Sequence, residues 1–134
     1  MQGGCYCGAL RFETTAKPVQ KGQCHCRECQ YFASGAMNFY LVIPEAGFTY
    51  TTGTPACFTR SDLENPVTRE FCGTCGTPVL TRRIGLPMVI LKAGVLDNPS
   101  DYGDSSMAIF MKDAQPFHVV RDGKPCFQDM PPRT

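Results

Sequence analysis

The chain has 134 residues, with 13 basic and 12 acidic side chains and a formal charge of +1, which leaves no electrostatic footprint for nucleic acid. That length suits one domain over residues 1–134, large enough to bury roughly two thirds of its unfolded surface. The nine cysteines are an odd number, and "MQGGCYCG" at the start has no secretory pattern; both argue against a disulfide framework and for metal or redox chemistry in the cytoplasm.

In chain order, "LRFETT" (10–15) alternates Leu10, Phe12 and Thr14 with charged Arg11 and Glu13, the signature of a half-buried strand. The segment after Cys29, "QYFAS", is a short helix candidate. "MNFYLVI" (37–43) reads as a buried strand, and "FTYTTG" as a strand that Gly53 turns. "PVLTRR" and "MVILKAGVL" are two further strands joined through "IGLP", "NPSDYG" is a helical turn, and "FHVV" (117–120) is a last strand entering the turn "RDGKP". The class is mainly β with few short helices. Residues 128–134, "QDMPPRT", have nothing to bury and predict a loose tail. The apolar runs "FYLVI" and "MVIL" are too short to cross a bilayer, so no membrane partner is expected.

Seven cysteines fall into three groups: Cys5 and Cys7; Cys24, Cys26 and Cys29; Cys72 and Cys75. "FCGTCGTP" is a C-x-x-C whose glycines allow the tight turn that points both thiolates at one ion, with Zn–S bonds of about 2.3 Å. Cys5 and Cys7 would share a face in an extended segment, and with the knuckle they make a closed, structural Cys₄ site. Cys24 and Cys26 could equally complete the knuckle, leaving Cys5 and Cys7 spare. In the first partition "CHCREC" keeps three thiolates and an open fourth position, the pattern of a catalytic zinc. His25 could be the fourth ligand, but if Cys24 and Cys26 share a face, His25 points away.

Around these groups, Arg27 could steady a thiolate or an anionic substrate, and Arg60, Arg82 and Arg83 could recognise a carboxylate-bearing thiol such as glutathione. His118 reads as structural, and Cys57 and Cys126 as packed thiols outside the metal groups. No P-loop, nucleophile elbow or dinucleotide fingerprint is present in the sequence.

"GGCYCGALRF", "CHCRECQ" and "REFCGTCGTPV", with "KAGVLDNP" and "FHVVRDGKPCF" later, resemble the glutathione-dependent formaldehyde-activating enzyme family, which includes the centromere protein V relatives. The resemblance implies an Mss-four-like β-tent with sheets packed around zinc. It implies a structural zinc on Cys5, Cys7, Cys72 and Cys75, and a second, labile zinc on Cys24, Cys26 and Cys29 that engages the substrate thiol. It also implies a carbon–sulfur lyase that adds glutathione to formaldehyde, giving S-hydroxymethylglutathione. The alternative is a non-enzymatic zinc module that binds a protein partner; it calls for an apolar patch, in place of a pocket, beside the Cys24–Cys29 loop.

Overall fold

A computed structural model describes residues 1–132 of the chain. Strands β1 (Gln2–Gly4), β2 (Arg11–Thr14), β3 (Gln20–Cys24), β4 (Asn38–Pro44) and β5 (Phe48–Thr52) fill the first half, with one short helix, α1 (Arg27–Phe32), between β3 and β4. β6 (Ala56–Thr59), β7 (Val67–Phe71), β8 (Pro78–Arg83), β9 (Met88–Lys92) and the two-residue β10 (Ala108–Ile109) follow. They form a three-stranded sheet, β1-β2-β5, and a seven-stranded sheet, β10-β3-β4-β9-β8-β7-β6. Every pairing is antiparallel except that of β10 with β3. The mainly β class with few short helices is therefore observed.

Alternation along the large sheet sorts its two faces. Leu41, Ile43, Leu80, Val89 and Leu91 are at most 1% exposed, and they lie opposite one another as Leu41↔Leu91, Ile43↔Val89 and Leu80↔Leu91. With Leu10, Phe12 and Phe48 of the small-sheet side they make the main core, where each large apolar side chain contributes about 1.5–3 kcal/mol. Phe12 and Phe48 stack with ring centroids 5.2 Å apart. The other face of the large sheet carries Tyr40, Val42, Ile90 and Thr81, and it lines a cleft.

One expected strand is observed as such and one is not. "MNFYLVI" is the strand β4 from Asn38 on, with Tyr40, Leu41 and Ile43 buried and only Phe39, near its start, left 42% exposed. "FHVV" is not a strand; Pro116 and Phe117 form a turn and His118 to Val120 are irregular. Pro116 has no N–H to give a ladder, the Gln115 N–H is spent on the His118 ring, and β10 occupies the edge beside β3. Phe117 and Val119 are left exposed. Of the expected loose tail, residues 128 and 129 are tied down: the Phe110 N–H donates to Asp129 O (3.1 Å) and the Lys112 N–H to Gln128 O (3.3 Å). Lys112 also pairs with the Asp129 carboxylate at 2.5 Å. Residues 133–134 of that segment lie outside the described residues. No helix among the described residues is long and apolar enough to cross a membrane.

Candidate metal centres and substrate cleft

The β1–β2 connection brings Cys5 and Cys7 to the β7–β8 turn that carries Cys72 and Cys75, and the four sulfurs lie within 4.8 Å of one another. Cys5 and Cys7 are not in extended chain as the spacing suggested. β1 ends at Gly4, and a turn closed by Gly8 N–H to Cys5 O (3.2 Å) bends both thiols to the same side. The Cys5–Cys7 and Cys7–Cys72 sulfur separations are 3.6 and 3.7 Å. A tetrahedron with 2.3 Å metal–sulfur bonds has edges of about 3.8 Å, so the set fits such an ion. Backbone N–H groups support it: Leu10 donates to the Cys5 sulfur (3.2 Å), and Thr74 and Cys75 donate to the Cys72 sulfur (both 3.4 Å). The Thr77 hydroxyl and backbone N–H hold the Cys75 thiol down to about 5, so a thiolate is ready at neutral pH.

The second group forms where β3 runs into α1. Cys24 ends the strand, Cys26 is the N-cap of the helix, and Cys29 sits one turn on. Their sulfurs also lie within 4.8 Å of one another. The Cys26 sulfur accepts the Cys29 N–H at 3.3 Å, the capping interaction that favours an anion at a helix start. Hydrogen bonds from the Cys24 and Cys29 thiols hold Cys26 down at about 2, while those same bonds and burial push Cys24 far up. The Cys29 N–H at its sulfur favours Cys26 as the thiolate of the trio. The sulfurs gather as these two sets, with Cys5 and Cys7 beside the knuckle and Cys24 and Cys26 beside Cys29. Either group could hold a metal ion.

Among the described residues no fourth histidine, cysteine or carboxylate joins the second group. His25 is fully buried and turned away from it. His118 Nε2 donates to Gly35 O (2.8 Å), and the Gln115 N–H donates to His118 Nδ1 (3.1 Å). His118 Nδ1 is therefore an acceptor, so His25 Nδ1 donates to it (3.0 Å), and His25 Nε2 accepts from Gln23 Nε2 (3.0 Å). Burial and then His118 pull the His25 imidazole below its ordinary range, favouring this neutral form. Gln30, 2% exposed, donates to both His25 O and Asp113 O at 2.8 Å. The cysteine loop is thus pinned from behind by polar side chains, none of which is a buried orphan among the described residues. "FHVV" supplies that pin in place of the expected strand, and His118 is structural as expected.

In front of the three thiols opens a cleft of about 450 Å³. Its floor is the solvent-side face of the large sheet, and its wall includes Leu86, Phe110 and Met130. Gly22 makes room on this floor: a Cβ there would lie 2.4 Å from the Tyr40 hydroxyl oxygen and 2.6 Å from the ring. Arg69, Arg83 and Glu28 supply charge to the cleft. Arg69 is paired with Glu28 at 3.0 Å and lies over the Phe32 ring, 4.0 Å from its centroid. Arg83 is exposed and makes no ion pair among the described residues.

Of the arginines singled out in the sequence, only Arg83 reaches this cleft. Arg82 is held by Glu70 and Glu45, and Arg60 by Asp62. Arg27 donates to Gln30 and rests over the Tyr31 ring, facing away from the thiols. Cys57 and Cys126 lie outside both groups, but they are exposed and not packed. Arg69, Asn38 and Tyr40 in the cleft went unread, because their strand registers bring them there and no local motif does.

A crystal structure of a Rhodobacter sphaeroides protein is similar to this chain, with a TM-score of 0.60 at 22% identity, covering 78% of this chain and 97% of that one; it supports the fold. The family model described as glutathione-dependent formaldehyde-activating enzyme matches residues 1–113. With both cysteine groups assembled as that family's motifs implied, the chain belongs to the glutathione-dependent formaldehyde-activating enzyme family.

Proposed function

We propose that this protein is a zinc-dependent carbon–sulfur lyase working as a synthase, which joins a small thiol such as glutathione to formaldehyde to give S-hydroxymethylglutathione. Cys5, Cys7, Cys72 and Cys75 would hold a structural zinc, and Cys24, Cys26 and Cys29 a second, exchangeable one. The observation that carries this reading is a three-thiol group that no fourth histidine, cysteine or carboxylate joins among the described residues, at the foot of a cleft of about 450 Å³. A zinc ion there would supply Lewis-acid chemistry and favour the thiolate of an incoming thiol at neutral pH.

The chain's own residues do the rest. Val42, Ile90 and Phe110 give the cleft an apolar lining that sheds water, while Arg69 and Arg83 offer forked donors to substrate carboxylates and Glu28 a partner for an ammonium group. Holding thiol and aldehyde together turns a bimolecular encounter into a local one. In the reaction the sulfur–carbon bond forms, the C=O π pair moves to oxygen, and the proton the thiol has lost ends on that oxygen. The inert-module reading calls for an apolar patch where this cleft lies, and the arginine-lined cleft favours the enzyme. Reduced thiol groups of this kind belong in a reducing compartment, so we place the protein in the cytoplasm and read the chain as one domain.

The test is zinc stoichiometry with and without excess glutathione, for wild type and Cys26→Ser, alongside NMR exchange spectroscopy of glutathione and formaldehyde. Expected are one zinc per cysteine group in wild type, one of them perturbed by glutathione and absent from Cys26→Ser, and exchange faster than the uncatalysed reaction. A single zinc indifferent to both glutathione and Cys26→Ser, with exchange at the uncatalysed rate, would refute the reading.

A further inference from the structure

Asn38 is paired directly opposite Cys24 in the β3–β4 ladder, so the two side chains project from the same face, their Cα atoms about 5 Å apart. It lines the cleft together with Cys24, Cys26 and Cys29. Its carboxamide has a determined orientation. The Lys92 ammonium donates to Asn38 Oδ1 at 2.9 Å, and an ammonium can only donate, so the oxygen faces Lys92 and the NH₂ group faces the other way. Among the described residues that NH₂ has no protein acceptor, and it is not a buried orphan. Lys92 is itself half-buried at the end of β9 and has one hydrogen-bond acceptor among the described residues, Asn38. Lys92 also stands within electrostatic reach of the three thiols, so one half-buried cation serves the cysteine group and fixes the amide whose unpartnered donor end lines the same cleft.

Addition of a thiolate to an aldehyde builds negative charge on the carbonyl oxygen, and a fixed neutral donor at that point lowers the barrier without delivering a proton. We propose that Asn38 is a catalytic residue whose Nδ2–H donates a hydrogen bond to the aldehyde oxygen as the sulfur–carbon bond forms, with Lys92 as its positioning residue. The C=O π pair becomes the oxygen lone pair that Asn38 stabilises, and the proton the thiol gave up completes the hydroxyl from solvent. This inference rests on the proposed reaction and adds to it the group that receives the developing charge.

The test compares wild type with Asn38→Asp, which keeps an acceptor for Lys92 but loses the donor, and Asn38→Ala, which loses both without adding charge. Exchange spectroscopy with glutathione and formaldehyde gives the rate, mass spectrometry the bound zinc, and calorimetry the affinity for glutathione alone. Removing one such donor elsewhere costs about 10²–10³ in rate, and a loss of at least tenfold is expected in both variants, with zinc content and glutathione affinity within about twofold of wild type. In wild type the Asn38 side-chain amide resonance, assigned by its absence from Asn38→Ala, should shift when formaldehyde is added to the glutathione complex. Wild-type turnover in either variant overturns the inference while leaving the proposed reaction standing. Loss of zinc or glutathione binding in both variants overturns it too, by making Asn38 a structural part. A wild-type protein that does not exceed the uncatalysed rate refutes the proposed reaction, and this inference falls with it.

Discussion

Serine substitutions in the two cysteine groups should have opposite consequences for the fold. Cys72 is 2% exposed and stands 3.7 Å from the Cys7 sulfur across a sequence separation of 65. Treated as a cross-link closing a loop of 65 residues, the metal-bridged pair restricts the unfolded chain by about 4 kcal/mol. The full metal-binding energy of such a site is larger, about 10–16 kcal/mol, against a total stability of about 5–15 kcal/mol for a domain. Cys72→Ser should therefore cost at least about 4 kcal/mol and leave the protein largely unfolded or insoluble. Cys26 closes only the short Cys24–Cys29 loop, worth about 2 kcal/mol by the same reasoning. Its sulfur already serves as an N-cap, a place where serine performs well. Cys26→Ser should stay folded, lose one metal ion, and shift by no more than about 2 kcal/mol. Urea unfolding followed by circular dichroism, with metal content measured on the same samples, decides between them. A Cys72→Ser protein within about 1 kcal/mol of wild type, or a Cys26→Ser protein equally unfolded, would refute the division into structural and open sites.

Two further outcomes follow from the floor and back of the cleft. His25 should stay a neutral Nδ1–H tautomer at pH 6.5, since its folded form resists the proton that an ordinary histidine takes up near that pH. Between its lowered pKa and 6.5 the unfolded chain binds more protons, so this group's contribution to stability is complete above 6.5 and is lost as pH falls through that window; long-range ¹H–¹⁵N spectra showing an Nε2–H tautomer, or titration at 6.5 or above, would contradict the hydrogen-bond chain. Gly22→Ala should cost about 1–3 kcal/mol by overpacking, because its Cβ would meet the Tyr40 ring at 2.6 Å. Denaturant midpoints check this, and an unchanged midpoint would mean that Tyr40 moves freely.

The sequence revealed the apolar runs "MNFYLVI", "PVLTRR" and "MVIL" as β4, β8 and β9, the last ending at Lys92 before a turn over Ala93–Val95, and it revealed the strands whose alternation is local. In "LRFETT" and "FTYTTG" one face is apolar and the other polar, so the hydrophobic effect sorts them whatever their neighbours, and β2 and β5 appear where they were expected. The knuckle was legible for a similar reason, since C-x-x-C with glycines is a complete local device. β1, β3, β6 and β7 were not legible: "QKGQC" and "VTREF" carry little apolar contrast, and they are strands because of the ladders on either side of them. "FHVV" failed in the opposite sense, its strand-like pattern overruled by the capture of His118 by His25.

What the sequence by itself determined is the chemistry available: which thiols come in matched short-spaced sets, and that one set of three is a ligand short. Spacing along the chain cannot say which distant pair completes the knuckle, because 65 residues separate Cys7 from Cys72 and nothing local records where they meet. Only the tertiary structure decided that partition, turned His25 to the rear, and placed Arg69, Arg83 and Asn38 on one floor before the open thiols. The physical reason is register: side chains from strands far apart in sequence share a face only once the sheet is formed, and a shift of one residue would send each of them into the core.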